Sequence, residues 1–308
     1  MHDVRREPEP DVTLTGTVTP APSDRLKVIA GVTLPEGTTN VTAEDFQANI
    51  ASAIRRGHPQ LRRQGIQPDR VCLLGGGPSL NDTLPELLEA LRAGAKLATT
   101  NGAYHWALDH HLSPQTQIII DGRASNARFV DPPLPRCQYL ISSTCHPDVW
   151  DRLEGREHVW IFHPVTRDDA AAALLDAHYL RRWETVPGGS TVVSRAINAL
   201  RVAGYVRFDL FGVDCCLLHD RHHAYPQAEN EGDKLWKVTV NPSGHPELRR
   251  EFITTGWMLK GWEDWLRMIR LQGDPPSWLI NVHGDGLLAY TLRVNADLID
   301  AEVTAATP

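Results

Sequence analysis

The stretch Arg70-Val71-Cys72-Leu73-Leu74, followed at once by Gly75-Gly76-Gly77-Pro78-Ser79-Leu80, constrains the fold of this 308-residue chain more than any other segment. A short unbroken apolar run reads as a buried strand, and a glycine-rich turn directly after it leads into a helix. That helix has its own start signals. Thr83 stands where an N-cap belongs, Glu86 three residues on completes a capping box, and Pro85 sits in the first turn. Leu84, Leu87, Leu88 and Leu91 form its apolar stripe, and Gly94 ends it.

The same alternation continues along the chain. Strand-like runs fall at residues 96–100, 117–121, 138–142, 158–162, 206–211 and 278–282. Helical patterns begin at Thr42 (Phe46, Ile50, Ala53, Ile54), span 168–180, and run from Ser190 or Thr191 to about residue 203. A last amphipathic helix is read over 247–271, with Trp257, Trp262 and Trp265 in its core stripe. Strands alternating with helices predict an α/β fold, a Rossmann-like mostly parallel sheet with helices on both faces. Residues 1–24, with Pro8, Pro10, Pro20 and Pro22, read as a flexible arm, and 25–69 as a helical lead-in. Residues 70–308 are expected to form one Rossmann-like catalytic domain, with a polar, His-rich and irregular lid insertion at about 215–250.

Composition removes other classes. With 42% hydrophobic and 22% charged residues the chain is neither fibrous nor wholly disordered. No apolar run approaches the roughly 18 residues of a membrane span. The net charge of −7 argues against a nucleic-acid binder working on bulk charge without excluding a local basic groove, and Arg55, Arg56, Arg62, Arg63 and Arg70 could hold phosphates but read by default as a solvated helix face. The five cysteines, at 72, 137, 145, 215 and 216, show neither C-x-x-C spacing nor a disulfide framework. A cytoplasmic, reducing location is expected.

Four constellations carry chemistry. Gly75, Gly76, Gly77 and Ser79 place backbone N–H groups at a helix start, where an anion is favoured. The alternative is a tight βα turn, and phosphate binding is preferred because the glycines exceed what such a turn needs. No Gly-Lys-Ser/Thr follows, and Leu80 replaces the third glycine of a dinucleotide fingerprint. Gly188, Gly189, Ser190 and Thr191 open a second helix in the same way, so that two such starts could clamp a pyrophosphate, although taken alone this turn reads better as a capped helix with a flexible lead-in. Asp121 and Asp214 lie at strand ends, where a carboxylate can hold a ribose hydroxyl, bind Mg²⁺, or cap the next turn. The segment with His219, Asp220, His222, His223 and Tyr225, and later His245, lacks zinc spacing and suits general-base chemistry better, with solvated loop histidines as the bland alternative.

Together these residues resemble the 6-hydroxymethylpterin diphosphokinase (MptE-like) family, related in fold to bacterial sialyltransferases of the Campylobacter type. The resemblance covers roughly residues 68–290. It rests on Gly76-Gly77-Pro78-Ser79-Leu80, Thr100-Asn101-Gly102-Ala103-Tyr104, Ile120-Asp121, Gly188–Thr191, Phe211-Gly212-Val213-Asp214, His223-Ala224-Tyr225 and the closing 279–286 segment. It implies a sialyltransferase-like domain in which Asn101 and the glycine turns contact a donor nucleotide, with Tyr225 beside it. In the sialyltransferase pattern the base is a late histidine, a place that His245 occupies here, with His223 as the alternative. The activity so implied is a transferase using a nucleotide-activated donor: a glycosyltransferase moving a sugar from a nucleotide sugar to an acceptor hydroxyl. The first alternative is a diphosphokinase acting on a hydroxymethyl group of pterin type, with Asp121 and Asp214 holding Mg²⁺ on ATP. The second is a non-catalytic nucleotide-binding module. The partners implied are a nucleotide donor and a hydroxyl-bearing acceptor (small molecule, glycan or DNA), and self-association into a homo-oligomer is left open.

Overall fold

The computed structural model describes residues 40–227, 232–242, 245–272, 277–294 and 299–305. The arm expected over 1–24 and the lead-in before residue 40 lie outside them. The strands are β1 (Gln67–Leu74), β2 (Lys96–Thr100), β3 (Thr116–Ile119), β4 (Gln138–Ser142), β5 (Val159–Pro164), β6 (Thr185–Val186), β7 (Tyr205–Phe211), β8 (Leu235–Pro242), β9 (Arg250–Thr255), β10 (Leu279–Val282) and β11 (Ile299–Ala305). Eight of them form one sheet in the order β10-β7-β1-β2-β3-β4-β5-β6, parallel at every pairing. This is the Rossmann-like α/β sheet expected. After β1 the chain moves toward β2, whereas β7 returns on the opposite flank of β1, so the strand order reverses there.

The helices are α1 (Ala43–Arg55), α2 (Ser79–Asp82), α3 (Leu84–Arg92), α4 (Ala103–Asp109), α5 (Pro147–Asp151), α6 (Asp169–Tyr179), α7 (Val192–Val202), α8 (Gly256–Arg270) and α9 (Leu287–Arg293). They cover both faces of the sheet, which explains why β1 is apolar without alternation. Val71 and Leu73 pack with Ala196, Ile197 and Leu200 of α7 and with Leu259, Trp262 and Trp265 of α8. Cys72 and Leu74 face the other way, toward Leu87 and Ala90 of α3 and Trp106 of α4. Further along that face, Tyr139, Ile141 and Ile161 bury Ile50, Ala53 and Ile54 of α1. Each such aliphatic side chain contributes about 1.5–3 kcal/mol. Thr42 caps α1 by accepting from Asp45 N at 3.1 Å.

Several boundaries differ from the sequence reading, each for a local reason. Thr83 does not cap α3: its hydroxyl donates to Ser79 O at 2.7 Å, so the chain is already turning through α2. The segment expected to be an irregular lid carries β8, which pairs antiparallel with β9 and β11 in a separate three-stranded sheet. The last long helix therefore starts at Gly256 rather than near residue 247, because β9 occupies Arg250–Thr255 and Thr255 accepts from Met258 N. Trp262 and Trp265 are core as expected, but Trp257 is 40% exposed and donates its Nε1 proton to Asp233. The arginines disperse instead of forming one basic groove: Arg56 pairs with Asp151, Arg70 pairs with Asp209, and Arg62 donates to Arg182 O.

Candidate functional site

The glycines after β1 are required by protein packing. Gly75 N donates to Phe211 O and Gly77 N to Gly212 O, each at 2.8 Å. A Cβ on Gly75 would meet the Gly212 carbonyl, and one on Gly77 would meet the Asp214 carboxylate and the same carbonyl. Ser79 N donates to Asp214 Oδ2 at 3.0 Å. The Gly75, Gly77 and Ser79 N–H groups that the sequence offers to a phosphate are thus engaged by the end of β7 and the loop after it. This close approach fuses the ends of β1 and β7 where the strand order reverses.

The second glycine turn follows the same logic. Ser190 N donates to Asp264 Oδ2 at 2.5 Å, and Thr191 and Ser194 form a reciprocal capping box at the start of α7. An internal carboxylate therefore occupies the position read as the second end of a pyrophosphate clamp. Gly189 leaves no room for a Cβ against Ser194, and Arg195 Nε donates to Gly189 O at 2.7 Å. Gly188 is roomier, with Arg195 the nearest neighbour at 3.8 Å from a Cβ position. The two turns do approach one another: Val193 of α7 lies 3.2 Å from a Cβ position on Gly75.

The strand-end acids stand apart. Asp121 follows β3 and is held by Arg123, whose Nε lies 3.0 Å from both carboxylate oxygens, and by Asn40 Nδ2 at 3.0 Å. Asp214 follows β7 and is 3% exposed. Burial raises its pKa to about 6, and the hydrogen bond from Ser79 N offsets part of that rise. Gly286 packs against Asp214 so closely that a Cβ there would lie 2.6 Å from its Cα. Three strand spacings separate β7 from β3, roughly 14 Å at about 4.8 Å each. One Mg²⁺ takes its oxygens at about 2.1 Å, so the two acids do not fit a shared ion. Among the described residues no group of three His, Cys, Asp or Glu converges on a metal position.

Asn101 presents an unsatisfied polar group. It ends β2 in the left-handed region, φ +44°, a conformation asparagine tolerates better than most residues. Its carbonyl accepts from Gln117 Nε2 at 3.1 Å and from Tyr104 N at 3.2 Å. Its side-chain Oδ1 is buried with no hydrogen-bond partner. Tyr104, by contrast, is core: it is fully buried and its hydroxyl donates to Pro132 O at 2.7 Å.

The segment 222–225 lies over the first glycine turn as a strap. Ala224 N donates to Gly76 O at 3.0 Å and Asn81 Nδ2 donates to Ala224 O at 3.2 Å. Tyr225 Oη and the His223 ring lie 2.6 and 2.8 Å from a Cβ position on Gly76, and the Tyr225 ring covers Gly102 as well. His223 stacks on Trp257 at 6.0 Å between centroids. His245 is elsewhere, at the tip of the β8–β9 hairpin, with its side chain 57% exposed and paired with Glu247 at 3.1 Å. The structure therefore joins His223 and Tyr225 to the strand ends and leaves His245 on the hairpin surface.

Two cavities lie beyond the β2 end of the sheet. The smaller, ≈ 280 Å³, is lined by Gly102, His105, Trp106, Arg128, Phe129 and Tyr225, among others. The larger, ≈ 600 Å³, shares His105 and Arg128 with it and extends past Ser125 to Asp131 and Arg152. His105 Nε2 is 2.8 Å from the backbone carbonyl of Asp131. A carbonyl only accepts, so this contact puts the proton on Nε2 and leaves the lone pair on Nδ1. Neither His105 nor Arg128 stands out in the sequence: Arg128 falls in the 123–136 connection, whose 3₁₀ turn (Ala124–Val130) has no strong periodicity. A histidine four residues after Asn101, one α4 turn beyond the β2 end, was the available signal.

A parallel sheet wrapped by helices, with cavities just beyond its carboxyl ends, defines a Rossmann-like α/β protein. Residues 44–220, more than half of the chain, match the family described as "6-hydroxymethylpterin diphosphokinase MptE-like", and the chain belongs to that family. Among solved structures it is similar to the MAf glycosyltransferase from Magnetospirillum magneticum AMB-1, with a TM-score of 0.57 and 15% sequence identity. The match covers 88% of this chain and 43% of that one, so the chain spans less than half the length of its structural neighbour. No curated protein matches. No helix among the described residues is long and apolar enough to cross a membrane.

Proposed function

We propose that this protein is a transferase that takes a nucleotide-activated donor and moves a sugar from it to an acceptor hydroxyl. The family and the structural neighbour are both named for group-transfer enzymes, a diphosphokinase and a glycosyltransferase. The observation that carries the reading is the buried, unpartnered Oδ1 of Asn101 at the strand end next to Gly102, which lines the smaller cavity. A buried polar atom without a partner is costly, and a donor N–H or hydroxyl would satisfy it. Arg128 supplies the positive charge for the donor phosphate, a task for which the engaged glycine-turn amides are poorly placed. Asp214, Ser79, Gly75, Gly76, Gly77 and the Gly188–Thr191 turn then act as scaffold that holds the strand ends together.

The step requires a base. The acceptor oxygen attacks the anomeric carbon, the carbon–oxygen bond to phosphate breaks with its electron pair leaving on the phosphate, and the acceptor proton passes to an imidazole. His105 suits this role because it lines both cavities and its Nε2 contact with the Asp131 carbonyl leaves the lone pair on Nδ1. His223 clamps the strap, and His245 is too exposed to be screened from water.

The test is turnover. The full chain is incubated with UDP-, GDP- and CMP-sugars and, separately, with ATP and Mg²⁺, and donor loss is followed by mass spectrometry. Consumption of a sugar nucleotide without ATP cleavage is expected. AMP release from ATP would replace this reading with the diphosphokinase, and nucleotide binding without any turnover would favour the binding module.

A further inference from the structure

The larger cavity is not accounted for by a nucleotide alone. From His105 and Arg128, which it shares with the smaller cavity, it runs outward along the Ala124–Val130 turn to α5 and Arg152. Its ≈ 600 Å³ is ample for a small-molecule site, since such sites measure about 300–1,000 Å³. A second reactant placed there would meet the donor at His105. We infer that this cavity is the acceptor subsite, and that it takes a neutral, polyhydroxylated ligand of sugar type. This inference deepens the transferase reading and rests on it.

The charge arrangement selects the ligand class. The wall carries the carboxylates of Asp131, Asp148 and Asp151 against the guanidiniums of Arg128 and Arg152, one negative charge in excess. Arg152 is already matched, with its Nη1 2.5 Å from Asp131 Oδ2; Arg56 Nη2 from outside the cavity holds Asp151 at 2.7 Å, and Arg128, shared with the donor side, lies over the Phe129 ring. A phosphorylated or carboxylated ligand on this side would compete with Asp131 for Arg152 and face the carboxylates of Asp148 and Asp151. Hydroxyl groups meet no such conflict, because each can donate to a carboxylate and accept from a guanidinium without displacing either. The smaller cavity differs in character, with Trp106, Phe129 and Tyr225 contributing to its lining. A planar or nucleoside-bearing group is thereby directed to that side, and the polyol to the other.

Binding without any nucleotide tests the inference independently of turnover. Saturation-transfer NMR is run on the full chain with four methyl glycosides (glucoside, galactoside, mannoside and N-acetylglucosaminide), with inorganic phosphate and glucose 6-phosphate as anionic competitors. Ser125→Trp and Ala124→Trp are compared with the wild type, both positions being exposed, so that the new ring enters the cavity and not the core. At least one glycoside is expected to bind the wild type, with affinity falling tenfold or more in each variant that keeps the wild-type melting temperature. UDP and ADP binding should change less than twofold in the same variants. Binding of no glycoside, undiminished binding in both variants, or displacement of the glycoside by either phosphate would overturn the assignment. If glycosides bind and are blocked as expected while no nucleotide binds, the sugar site stands and the donor reading falls.

Discussion

Asp214→Asn isolates the buried carboxylate that closes the strand-end joint. In the folded protein its pKa rises from 3.8 to about 6 because burial disfavours the charged form. That rise corresponds to ~3 kcal/mol at about 1.36 kcal/mol per unit. The folded carboxyl keeps its proton at pH values where the unfolded one has lost it, so stability falls as pH climbs from about 4 to about 6 and is level above. The amide keeps an oxygen for Ser79 N, 3.0 Å away, but carries no charge to desolvate. Urea unfolding of wild type and variant at half-unit steps from pH 4 to pH 7 measures the effect, because every other titrating group cancels in the difference. The variant is expected to gain up to ~3 kcal/mol on the wild type between the two ends of that range. A difference that stays flat across the range would refute the reasoning. Nucleotide affinity should change little, since Asp214 is placed here as a joint.

His163 gives the opposite slope. Burial lowers its pKa from 6.5 to about 4, so stability is lost as pH falls through that window, by ~3 kcal/mol; His163→Phe should abolish this loss in the same unfolding series. Gly77→Ala should destabilise by about 1–3 kcal/mol, because its Cβ would press on Asp214 and the Gly212 carbonyl, whereas Gly188→Ala, with 3.8 Å of clearance, should leave the melting temperature unchanged. Equal melting temperatures for the two alanine variants would contradict the packing account. His105→Gln should lower kcat about 10²–10⁴-fold with little effect on KM, and a variant turning over at the wild-type rate would move the base elsewhere.

The fold was legible because its signals are local. The apolar runs of β1 and β4, the helical patterns that open at Thr42 and Asp168, the cap at Thr191 and the stop at Gly94 act within a few residues of themselves. β9 and β11 escaped notice because their partner β8 lies in a segment rich in histidine and polar residues, where pairing is long-range. At the site, sequence motifs and ligand access part company. The glycines are demanded by Gly212, Asp214 and Ser194, neighbours distant in sequence or hidden in the next turn, so a reading of the turn alone cannot tell packing from a phosphate cradle. Asn101 enters through its resemblance to a donor-contacting asparagine, and the structure leaves its buried Oδ1 without a hydrogen-bond partner. His105 and Arg128 become visible only when α4 and the Ala124–Val130 turn fold against each other around the cavities.

The central claim is that a nucleotide donor sits beyond β2 and not on the glycine turns. A crystal structure of the full chain soaked with a nucleoside diphosphate tests it most directly. The account predicts ligand density beside Gly102, with phosphate at Arg128 and a hydrogen bond to Asn101 Oδ1. Density centred on Gly75–Gly77 or on Gly188–Thr191, with the 222–225 strap displaced, would contradict it.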